Sequence, residues 1–570
     1  MTPAQAELLE QARAWMEGDP DPATRAELGA LVEASAFEAL AERLQPLSFG
    51  TAGLRGAVGA GSGRMNLAVV IRTAHGIASY LAEQATDRAK PIVIGFDARP
   101  TSRAFAEASA GVLIAAGYRV VAFTAPTATP LCAFLGRELG APITIVVTAS
   151  HNPRPDNGYK VYGPSAVQIV SPVDVDIARH IARAPAARAI AKSIGFSDPP
   201  PAGLTLLDSL ELDSYFAAVS AAIPAATSGR QLVIVHSALH GVGTAPMLRT
   251  LADAGFTNVH VVPAQAEPDG TFPTTPFPNP EEPGTLDLAL AAAERHDAAL
   301  LLVNDPDADR LAAAARLNGA LTVLDGNQVG ALLADHLLSL CPAVPTPLVL
   351  TSIVSSPFVS EMAHARGARC ERTHTGFKWL WTAALDLQRQ GAGQFCFGYE
   401  EALGYSVFPA VRDKDGIAAG RALAELAASL AERSQTLFGR LHELYAQYGL
   451  WASAARNLAF KAGTPIAPLL DALATQSDLR LGARQVVRCI DYRAGETERP
   501  PWLGAAAMLE LQLDDASRVF VRPSGTEPKL KLYGHVKRTI TLESDFSSSL
   551  AEARQSAAAL LQELAKLLQR

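Results

Sequence analysis

The chain has 570 residues, 49% of them hydrophobic, and 49 Lys and Arg against 57 Asp and Glu give a formal net charge of −8. This length predicts about three to five domains with large cores. A mildly acidic chain is not typical of nucleic-acid-binding proteins, which normally carry a basic excess. A 19% share of charged residues argues against long disordered segments. The sequence has no uncharged apolar run of about 18 residues, so it predicts no membrane span.

Cysteine usage and the N-terminus indicate the compartment. The five cysteines are widely scattered and form no CxxC pair, which is typical of proteins in a reducing environment. Residues 1–17 carry three acids and lack a basic region followed by an apolar core, so they predict an amphipathic helix rather than a signal peptide. We therefore expect a cytoplasmic protein.

Strand and helix patterns alternate along most of the chain. Apolar runs predict strands at residues 91–96, 119–123, 143–148, 231–235, 298–303 and 347–351. Helical periods occur at residues 102–116, 209–222, 246–254 and 356–366. This alternation indicates crossover units and mostly parallel sheets, which is an α/β fold. Towards the C-terminus the pattern predicts strands 519–522 and 529–536 and a helix at 547–568.

Breaks in this rhythm divide the chain into four predicted domains. The breaks are a Pro-rich stretch at 198–202, the turn Asp325-Gly326-Asn327, which opens a helix, and a change of pattern at 448–458. We therefore place the domains at residues 1–205, 206–323, 324–452 and 453–570.

The strongest local motif, NDPDADR at residues 304–310, directly follows a predicted strand. Its three carboxylates are Asp305, Asp307 and Asp309. Alternate residues of an extended loop point the same way, so the three can converge on one hard cation. The carboxyl end of a strand is also where open α/β sheets bind ligands. The alternative interpretation is a solvated acidic turn. An EF-hand is excluded because the Gly and the terminal Glu of that loop are missing.

A second loop, residues 148–160, reads TASHNP and then DNGYK. Ser150 follows a strand of the buried type and could act as a nucleophile, with His151 or Lys160 as its proton-transfer partner. The GxSxG elbow is absent, which argues against an α/β hydrolase. Taken alone, Ser150 is better interpreted as a loop-capping hydroxyl.

Further loops have the composition of anion or sugar sites. Residues 48–56 (SFGTAGLRG) and 522–529 (RPSGTEPK) combine glycines and hydroxyls with basic side chains, which suits phosphate oxygens. Residues 375–378 (TGFK) add a basic patch, and residues 398–405 (GYEEALGY) add an acidic one that fits a lid over sugar hydroxyls. No Walker A or GxGxxG sequence occurs, so nucleotide-driven transfer has no support.

Five blocks of the sequence, in this order and spacing, resemble the α-D-phosphohexomutase family, which includes phosphoglucomutases and phosphomannomutases. The blocks are TASHNP, DNGYK, DPDADR, GYEEALGY and RPSGTEPK. The matching blocks run from Phe49 to Lys529, nearly the whole chain. The blocks FGTAGLRG, HGVG, TGFKW and DKDG look most like bacterial phosphoglucomutases and the animal phosphoglucomutase-2 group, in which phosphopentomutase activity is known.

The resemblance implies a fold and an activity. The fold would be four domains around a central cleft, with three related α/β domains and a smaller C-terminal α+β domain like the TATA-binding protein. The activity would be interconversion of sugar 1-phosphate and sugar 6-phosphate through a phosphoserine and a bisphosphorylated sugar. Glucose 1-phosphate is the expected substrate, with mannose as a further hexose and pentose 1-phosphates as the alternative. The resemblance also implies Mg²⁺, a sugar 1,6-bisphosphate activator and a monomer or homodimer.

The resemblance assigns roles to individual residues. The active serine matches Ser150, and the magnesium ligands match Asp305, Asp307 and Asp309, with the serine phosphate completing the site. Arg55 and Lys160 match the reacting centre, where Lys160 is the favoured general acid or base. His151, next to Ser150, is a further predicted catalytic residue. The residues matched to the sugar-contacting loops and the distal phosphate clamp are Gly376, Phe377, Lys378, Glu400, Arg522, Ser524, Gly525 and Thr526. Arg310, Ala402 and Lys529 belong to the same blocks and are further predicted substrate-binding residues. Ala402 departs from the family, because many hexomutases have serine there.

Two rival functions use the same residues. A phosphatase with a DxD magnesium loop would need an aspartyl nucleophile and no distal phosphate clamp, and residues 522–529 argue against it. A non-catalytic sugar-phosphate sensor would not need Ser150, Lys160 and the three aspartates together.

Overall fold

The computed structural model describes residues 1–50, 53–190, 193–226, 228–341, 346–461, 464–476, 478–494, 499–523 and 529–569. The chain forms two compact units. The first comprises residues 1–314, 376–381 and 404–425, and the second comprises residues 315–375, 382–403 and 426–570. Within the described residues, no helix is both long and apolar enough to cross a membrane.

Three helices precede the first sheet. They are α1 (Pro3–Gly18), α2 (Pro22–Glu33) and α3 (Phe37–Leu44). Thr2 begins α1 with a capping box to Gln5, which satisfies backbone donors of the first turn. The three helices share a small core that includes Ala12, Leu28 and Leu40. The predicted N-terminal helix is confirmed, whereas the sequence reasoning did not predict α2 and α3.

The first sheet has six strands in the order β1-β5-β4-β2-β3-β6. Its elements are β1 (Leu54–Ala57), α4 (Leu67–Glu83), β2 (Ile92–Phe96), α5 (Ser102–Ala115), β3 (Val120–Phe123), α6 (Thr129–Glu138), β4 (Thr144–Val147), β5 (Asp156–Tyr162), α7 (Val173–Arg183) and β6 (Leu204–Leu207). Strands β2, β3, β4 and β6 are parallel, which agrees with the predicted mostly parallel sheet, although β6 was not predicted as a strand. Strands β5 and β1 are antiparallel additions, so the loop containing Ser150 connects two antiparallel neighbours.

The second sheet has the order β11-β10-β9-β7-β8. Its elements are α8 (Asp213–Ala222), β7 (Ile234–Ser237), α9 (Thr244–Asp253), β8 (Val259–Val261), α10 (Asp287–Arg295), β9 (Leu300–Asn304), β10 (Leu311–Leu317) and β11 (Ala320–Leu324). Strand β9 is buried along its length and pairs in parallel with β7. The acidic motif therefore begins at the carboxyl end of a central, parallel strand.

The third sheet has the order β13-β12-β14-β15. Its elements are α11 (Gly326–Leu340), β12 (Pro347–Ser352), α12 (Phe358–Ala365), β13 (Arg369–Thr373), α13 (Phe377–Arg389), β14 (Gln394–Glu400), β15 (Gly404–Ser406), α14 (Gly416–Ala431) and α15 (Leu437–Tyr448). Asp325 caps α11 with its side chain and forms a capping box with Gln328. The turn at 325–327 thus opens a helix, as the sequence predicts.

The last sheet is antiparallel, in the order β16-β21-β20-β19-β18-β17. Its elements are β16 (Leu450–Ala459), α16 (Ala467–Thr475), β17 (Arg480–Leu481), β18 (Arg484–Asp491), β19 (Leu509–Leu513), β20 (Arg518–Pro523), β21 (Lys529–Arg538) and α17 (Phe546–Leu568). Leucines of the sheet and of α17 share one core. Three α/β sheets followed by a smaller α+β domain confirm the predicted fold class.

The predicted domain limits each fall within a strand. Residue 205 lies in β6, residue 323 in β11 and residue 452 in β16. The limits were placed from Pro-rich stretches and turns, and these signals mark the ends of strands as readily as the ends of domains. The limits themselves stay predictions.

Candidate active site

Ser150 lies on the short connection between β4 and β5. Its backbone has φ 52°, a left-handed conformation that strains a residue with a Cβ and persists only where the surroundings hold it. The Ser150 N–H donates to Thr148 Oγ1 at 2.8 Å, and the Ser150 hydroxyl donates to Asp305 Oδ2 at 2.8 Å. Nδ1 of His151 lies 3.1 Å from the same hydroxyl. The serine is therefore held between a carboxylate and an imidazole.

Arg99 holds the backbone of this loop, and the sequence reasoning did not single it out. Its guanidinium donates to four loop carbonyls at 2.6–2.9 Å, those of Ser150, Asn152, Pro153 and Asp156. The side chain is fully buried. A planar fork with several fixed donors suits such a task, which a lysine cannot perform in the same way. The sequence contains one signal for this role, because the turn Asp97-Ala98-Arg99-Pro100 follows the carboxyl end of β2, and β2 lies next to β4.

The acidic motif folds as a tight turn after β9. The Ala308 N–H donates to the Asp305 carbonyl at 2.9 Å, and Ala308 has φ 57°. One carboxylate oxygen from each of Asp305, Asp307 and Asp309 lies within 4.8 Å of the others, and all three residues are buried. The expected convergence occurs, but the expectation of an extended loop was wrong. A turn brings the carboxylates together because a left-handed residue reverses the chain between them.

Neighbouring elements hold this turn in place. Thr129, at the start of α6, makes two hydrogen bonds to Asp307. Its N–H donates to the Asp307 carbonyl at 3.0 Å, and its hydroxyl donates to Asp307 Oδ2 at 2.7 Å. The Gly-rich turn after β7 packs on the other side, where Val242 N donates to the Pro306 carbonyl at 3.0 Å. A Cβ on Gly241 would lie 2.3 Å from Pro306 Cα, so only glycine allows this approach.

Two lysines neutralise part of the negative charge. Lys160 Nζ lies 2.7 Å from Asp307 Oδ2 and 2.8 Å from Asp309 Oδ2. Lys414 Nζ lies 3.1 Å from the same Asp309 oxygen. Burial lowers the pKa of Lys160, but the carboxylates of Asp307 and Asp309 outweigh it and leave that pKa above its usual value. Lys160 is therefore a cation in this arrangement. Lys414, in the DKDG loop, was not among the predicted site residues.

The carboxylates and the imidazole are shifted in characteristic directions. Burial raises the pKa of Asp305 well above its usual value, and the neighbouring Asp307 and Asp309 raise it further. Burial also opposes ionisation of Asp307, but Lys160 outweighs it and lowers that pKa. The pKa of His151 lies well below its usual value because of burial and of the cations Arg310 and Arg55. His151 is therefore a neutral imidazole beside the serine hydroxyl.

The predicted arginines surround these groups. Arg55 Nη1 donates to Asn152 Oδ1 in the serine loop at 3.3 Å, and burial lowers the pKa of Arg55. The Arg310 N–H donates to Asp305 Oδ1 at 3.0 Å, and its guanidinium lies 3.2 Å from Glu281. The structure thus brings Ser150, Arg55 and Arg310 to one centre with the lysine and the aspartates.

The predicted loop 376–378 contacts elements of the same centre. Lys378 Nζ donates to the Gly50 carbonyl at 3.3 Å, in the predicted anion loop 48–56. The ring of Phe377 lies under Lys414 Nζ, at 5.3 Å from its centroid. Gly376 has φ 120°, which favours glycine. Thr51 and Ala52 lie outside the described residues.

Residues 398–403 of the predicted sugar loop, at the end of β14, belong to the second compact unit. Oε2 of Glu401 accepts from the hydroxyls of Ser352 and Ser355 at 2.8 Å each. Glu400 is buried and Ala402 is partly exposed. A Cβ on Gly326 would lie 1.9 Å from the Glu401 carbonyl oxygen, so α11 can begin against this loop only with glycine. The serines that hold Glu401 were not predicted.

The predicted phosphate clamp is described only at its edges. Arg522 lies in β20 and Lys529 opens β21, and these two strands are antiparallel neighbours. Ser524, Gly525 and Thr526 lie outside the described residues.

The donor set at the acidic turn suits a divalent cation. Oδ1 of Asp307 and Oδ1 of Asp309 are buried, and neither has a hydrogen-bond partner. A buried carboxylate oxygen without a partner is costly, and a bound cation offsets that cost. Carboxylate oxygens are the ligands that hard cations such as Mg²⁺ prefer. The residues present therefore fit Mg²⁺.

Protein-family models and known proteins match this chain along most of its length. Models of the phosphoglucomutase/phosphomannomutase family match its α/β/α domain I at residues 46–188, domain II at 213–318, domain III at 325–448 and its C-terminal domain at 494–541. A Haemophilus influenzae protein named "Probable phosphomannomutase" is 36% identical over 82% of this chain and 92% of its own. The human phosphopentomutase is 34% identical over 86% of this chain and 85% of its own.

A solved structure shares the fold. The open form of the Paramecium phosphoprotein pp63/parafusin, a phosphoglucomutase, superposes with a TM-score of 0.69 at 16% identity and covers 92% of this chain and 96% of its own.

Proposed function

The chain belongs to the phosphoglucomutase/phosphomannomutase family, and from this premise we propose that it interconverts sugar 1-phosphate and sugar 6-phosphate through a phosphoserine at Ser150. The observation that carries the proposal is the contact of the Ser150 hydroxyl with Asp305, within a triad of buried carboxylates. Phosphoryl transfer needs positioning and charge neutralisation more than covalent help, and this centre is rich in both.

The metal would be held by Asp305, Asp307 and Asp309, with a phosphate on Ser150 as a further ligand. When bound, Mg²⁺ supplies Lewis-acid stabilisation of the charge on the transferring phosphoryl group. Lys160 and Arg55 add positive charge at the same centre, so a dianionic phosphate would be stabilised within a net-acidic protein.

Proton transfer is divided between His151 and Lys160. When the phosphoryl group leaves Ser150, the P–O bond to Oγ breaks and a new P–O bond forms to the sugar oxygen. The sugar hydroxyl then loses a proton and Oγ gains one. The neutral His151 imidazole, 3.1 Å from Oγ, suits the return step, in which the free Ser150 hydroxyl attacks the phosphate and its proton needs an acceptor. The Lys160 ammonium suits charge stabilisation and proton donation, and it could act as a base only after losing its own proton.

The bisphosphate intermediate must turn end for end before its other phosphate returns to Ser150. The phosphate that is not reacting is proposed to be held by Arg522, Ser524, Gly525, Thr526 and Lys529. Arg310 and the loops containing Gly376, Phe377, Lys378, Glu400 and Ala402 are proposed to bind the sugar. A sugar 1,6-bisphosphate would then be needed as an activator, because it phosphorylates Ser150 at the start.

Glucose 1-phosphate is the proposed leading substrate, and pentose 1-phosphates are the second candidate. The human relative is a phosphopentomutase, which favours the second candidate. Ala402 favours it too, because a methyl group stands where many hexomutases offer a serine hydroxyl. A missing hydroxyl removes one polar contact, which contributes roughly 0.5–1.5 kcal/mol to discrimination.

The test is a panel of glucose, mannose, glucosamine, ribose and deoxyribose 1-phosphates, each with its bisphosphate activator and Mg²⁺. Net conversion of the 1-phosphate to the terminal phosphate ester supports the mutase. Release of inorganic phosphate without isomerisation would support a phosphatase instead. Binding of the sugar phosphate without turnover would support a sensor.

A further inference from the structure

Two cysteines, distant in sequence, meet in the second compact unit. Cys341 caps the C-terminal end of α11, and Cys396 lies near the start of β14. Their Sγ atoms are 2.6 Å apart. Non-bonded heavy atoms pack at an optimal separation of about 3.5–4.0 Å, so these sulfur atoms are unusually close. Both thiols are free in the structure.

The strand is shaped so that this contact can occur. Leu348 of β12 pairs with Phe395, but the next residue, Val349, pairs with Phe397. Cys396 is therefore the additional residue of a β-bulge. In a regular strand its side chain would point away from the face that carries Phe395 and Phe397, whereas a bulge re-aims a side chain. The irregularity thus coincides with the residue that reaches Cys341.

The two sulfur atoms differ in exposure. Cys341 is partly exposed, whereas Cys396 is buried. The hydrogen bond between the thiols lowers the pKa of Cys341, and the same bond, with burial, raises the pKa of Cys396. Thiolate character and solvent access are the properties that select a cysteine for oxidation. Cys341 has both, and Cys396 is positioned as a resolving partner.

We propose that Cys341 and Cys396 form a reversible intramolecular disulfide when the protein meets a peroxide oxidant. The Cys341 thiolate attacks a peroxide oxygen, the O–O bond breaks, and hydroxide leaves a sulfenic acid on Cys341. The Cys396 sulfur then displaces hydroxide from the Cys341 sulfur, and the S–S bond forms. Two thiols are oxidised, hydrogen peroxide is reduced, and the two thiol protons end in two water molecules.

The disulfide would join the end of α11 to the start of β14. At their other ends the same two elements already meet, because the Tyr399 hydroxyl donates to Asn327 Oδ1 at 3.1 Å. Closing a loop between residues 55 positions apart restricts the unfolded chain and stabilises the folded one. With the disulfide, α11 and β14 would be connected at both ends, by the S–S bond at one end and by this hydrogen bond at the other. This consequence does not depend on the proposed catalytic function.

The experiment treats the reduced full-length protein with hydrogen peroxide and digests it with trypsin under non-reducing conditions. Cleavage after Arg316 and Arg366 isolates Cys341 in peptide 317–366, and cleavage after Arg389 and Arg412 isolates Cys396 in peptide 390–412. We expect these two peptides to be cross-linked, with two of the five thiols lost. We also expect the thermal midpoint to rise by at least about 2 °C and to return on reduction with dithiothreitol.

The controls separate this pair from general oxidation. Cys341→Ser should lose the cross-link and the thermal shift, whereas Cys489→Ser, which removes an exposed cysteine elsewhere, should keep both. Oxidation of Cys341 only to sulfinic or sulfonic acid would overturn the proposal. Cross-links between two chains through Cys489 or Cys370 in place of the 317–366 to 390–412 product would overturn it as well.

Discussion

The serine–aspartate centre of the first unit and the glutamate loop of the second hold their carboxylates in opposite ways. Asp307 and Asp309 are balanced by ammonium groups at 2.7–3.1 Å, and each keeps a buried oxygen without a partner. Glu401 is held by two neutral serine hydroxyls at 2.8 Å. The first arrangement concentrates charge, which the proposed phosphoryl transfer needs, whereas the second fixes the orientation of one carboxylate, which the proposed sugar binding needs. We therefore expect substitutions to have large effects at the first and small effects at the second.

The largest expected effect comes from Ser150→Ala, which should reduce mutase kcat by at least about 10³-fold because it removes the proposed nucleophile. The fold should remain intact, since one loop hydroxyl contributes little to stability. The measurement is kcat with glucose 1-phosphate, together with the thermal midpoint.

Ser352→Ala is the matched control, because Ser352 also donates to a carboxylate at 2.8 Å, in the other region. Ser352→Ala should change kcat by less than about tenfold, because it removes only one hydrogen bond. Equal losses of kcat in the two variants would contradict the expected difference between the two regions. Near-normal turnover by Ser150→Ala would remove Ser150 from the catalytic role.

The next effect is expected from Asp307→Asn, which should reduce kcat/KM by about 10²-fold or more and weaken Mg²⁺ activation. Loss of this carboxylate leaves Lys160 with one anionic partner fewer and the metal with one ligand fewer. The measurement is activity against Mg²⁺ concentration, supported by calorimetric Mg²⁺ binding.

Asp415→Asn is a suitable control for this substitution. Asp415 is also buried, but it accepts from backbone N–H groups of α14 and from the Tyr215 hydroxyl. It should leave the Mg²⁺ dependence unchanged. Full activity of Asp307→Asn after exhaustive chelation would contradict the metal site.

Arg99→Lys should reduce kcat by roughly 10–100-fold with little change in KM. Arg99 touches no reacting atom but donates to four carbonyls of the serine loop, so its loss should misplace the nucleophile rather than the substrate. Separate kcat and KM values test this positioning role. Arg103→Lys, at the exposed start of α5, should leave kcat unchanged. A rise in KM with constant kcat would assign Arg99 to substrate binding instead.

Each compact unit also contains a buried histidine that is neutral at pH 7, and these two histidines make stability depend on pH. Burial lowers the pKa of His535 in β21 to about 4, and that of His236 in β7 to about 4. Both values lie below the unfolded pKa, so protonation favours the unfolded chain. Their stabilising contribution is present above about pH 6.5 and declines as the pH falls towards 4.

From pH 7 to pH 5 each histidine should remove about 2 kcal/mol of stability. The measurement is the thermal midpoint between these pH values. His535→Gln and His236→Gln should each flatten the pH dependence. A variant that keeps the full acid slope would show that its histidine is not responsible.

The smallest expected effect belongs to Ala402→Ser, in the recognition region. The added hydroxyl should raise the preference for glucose over ribose 1-phosphate by up to about tenfold, the value of one polar contact. The measurement is kcat/KM for glucose, mannose and ribose 1-phosphates in both proteins. Unchanged ratios among the three sugars would show that Ala402 merely packs in its loop.

Much of the architecture was predictable from local patterns. Buried β-rich runs such as residues 92–96 and 300–304, and capping signals such as Asp325, identify the α/β units because strand burial and helix caps are local requirements. Strands β5 and β1 were not predictable, since antiparallel addition to a parallel sheet is decided by pairing partners distant in sequence.

At the candidate site, the side chains proposed to carry the chemistry could be identified from the sequence alone. Ser150, Lys160 and the three aspartates stand out because a hydroxyl, an ammonium and closely spaced carboxylates at strand ends are uncommon together. Their geometry and charge depend on the packed structure. It turned the acidic motif with a left-handed Ala308, left Lys160 charged between two aspartates, and kept His151 neutral.

Only the tertiary structure could identify Arg99 and Lys414 as members of the site. Arg99 is 51 residues from Ser150, and Lys414 is more than 100 residues from Asp309, so no local pattern connects them. Their importance depends on which carbonyls and carboxylates lie within hydrogen-bond distance. Those distances are set when whole sheets pack and bury the charges, because only burial makes an unpaired carbonyl or carboxylate costly enough to require a partner.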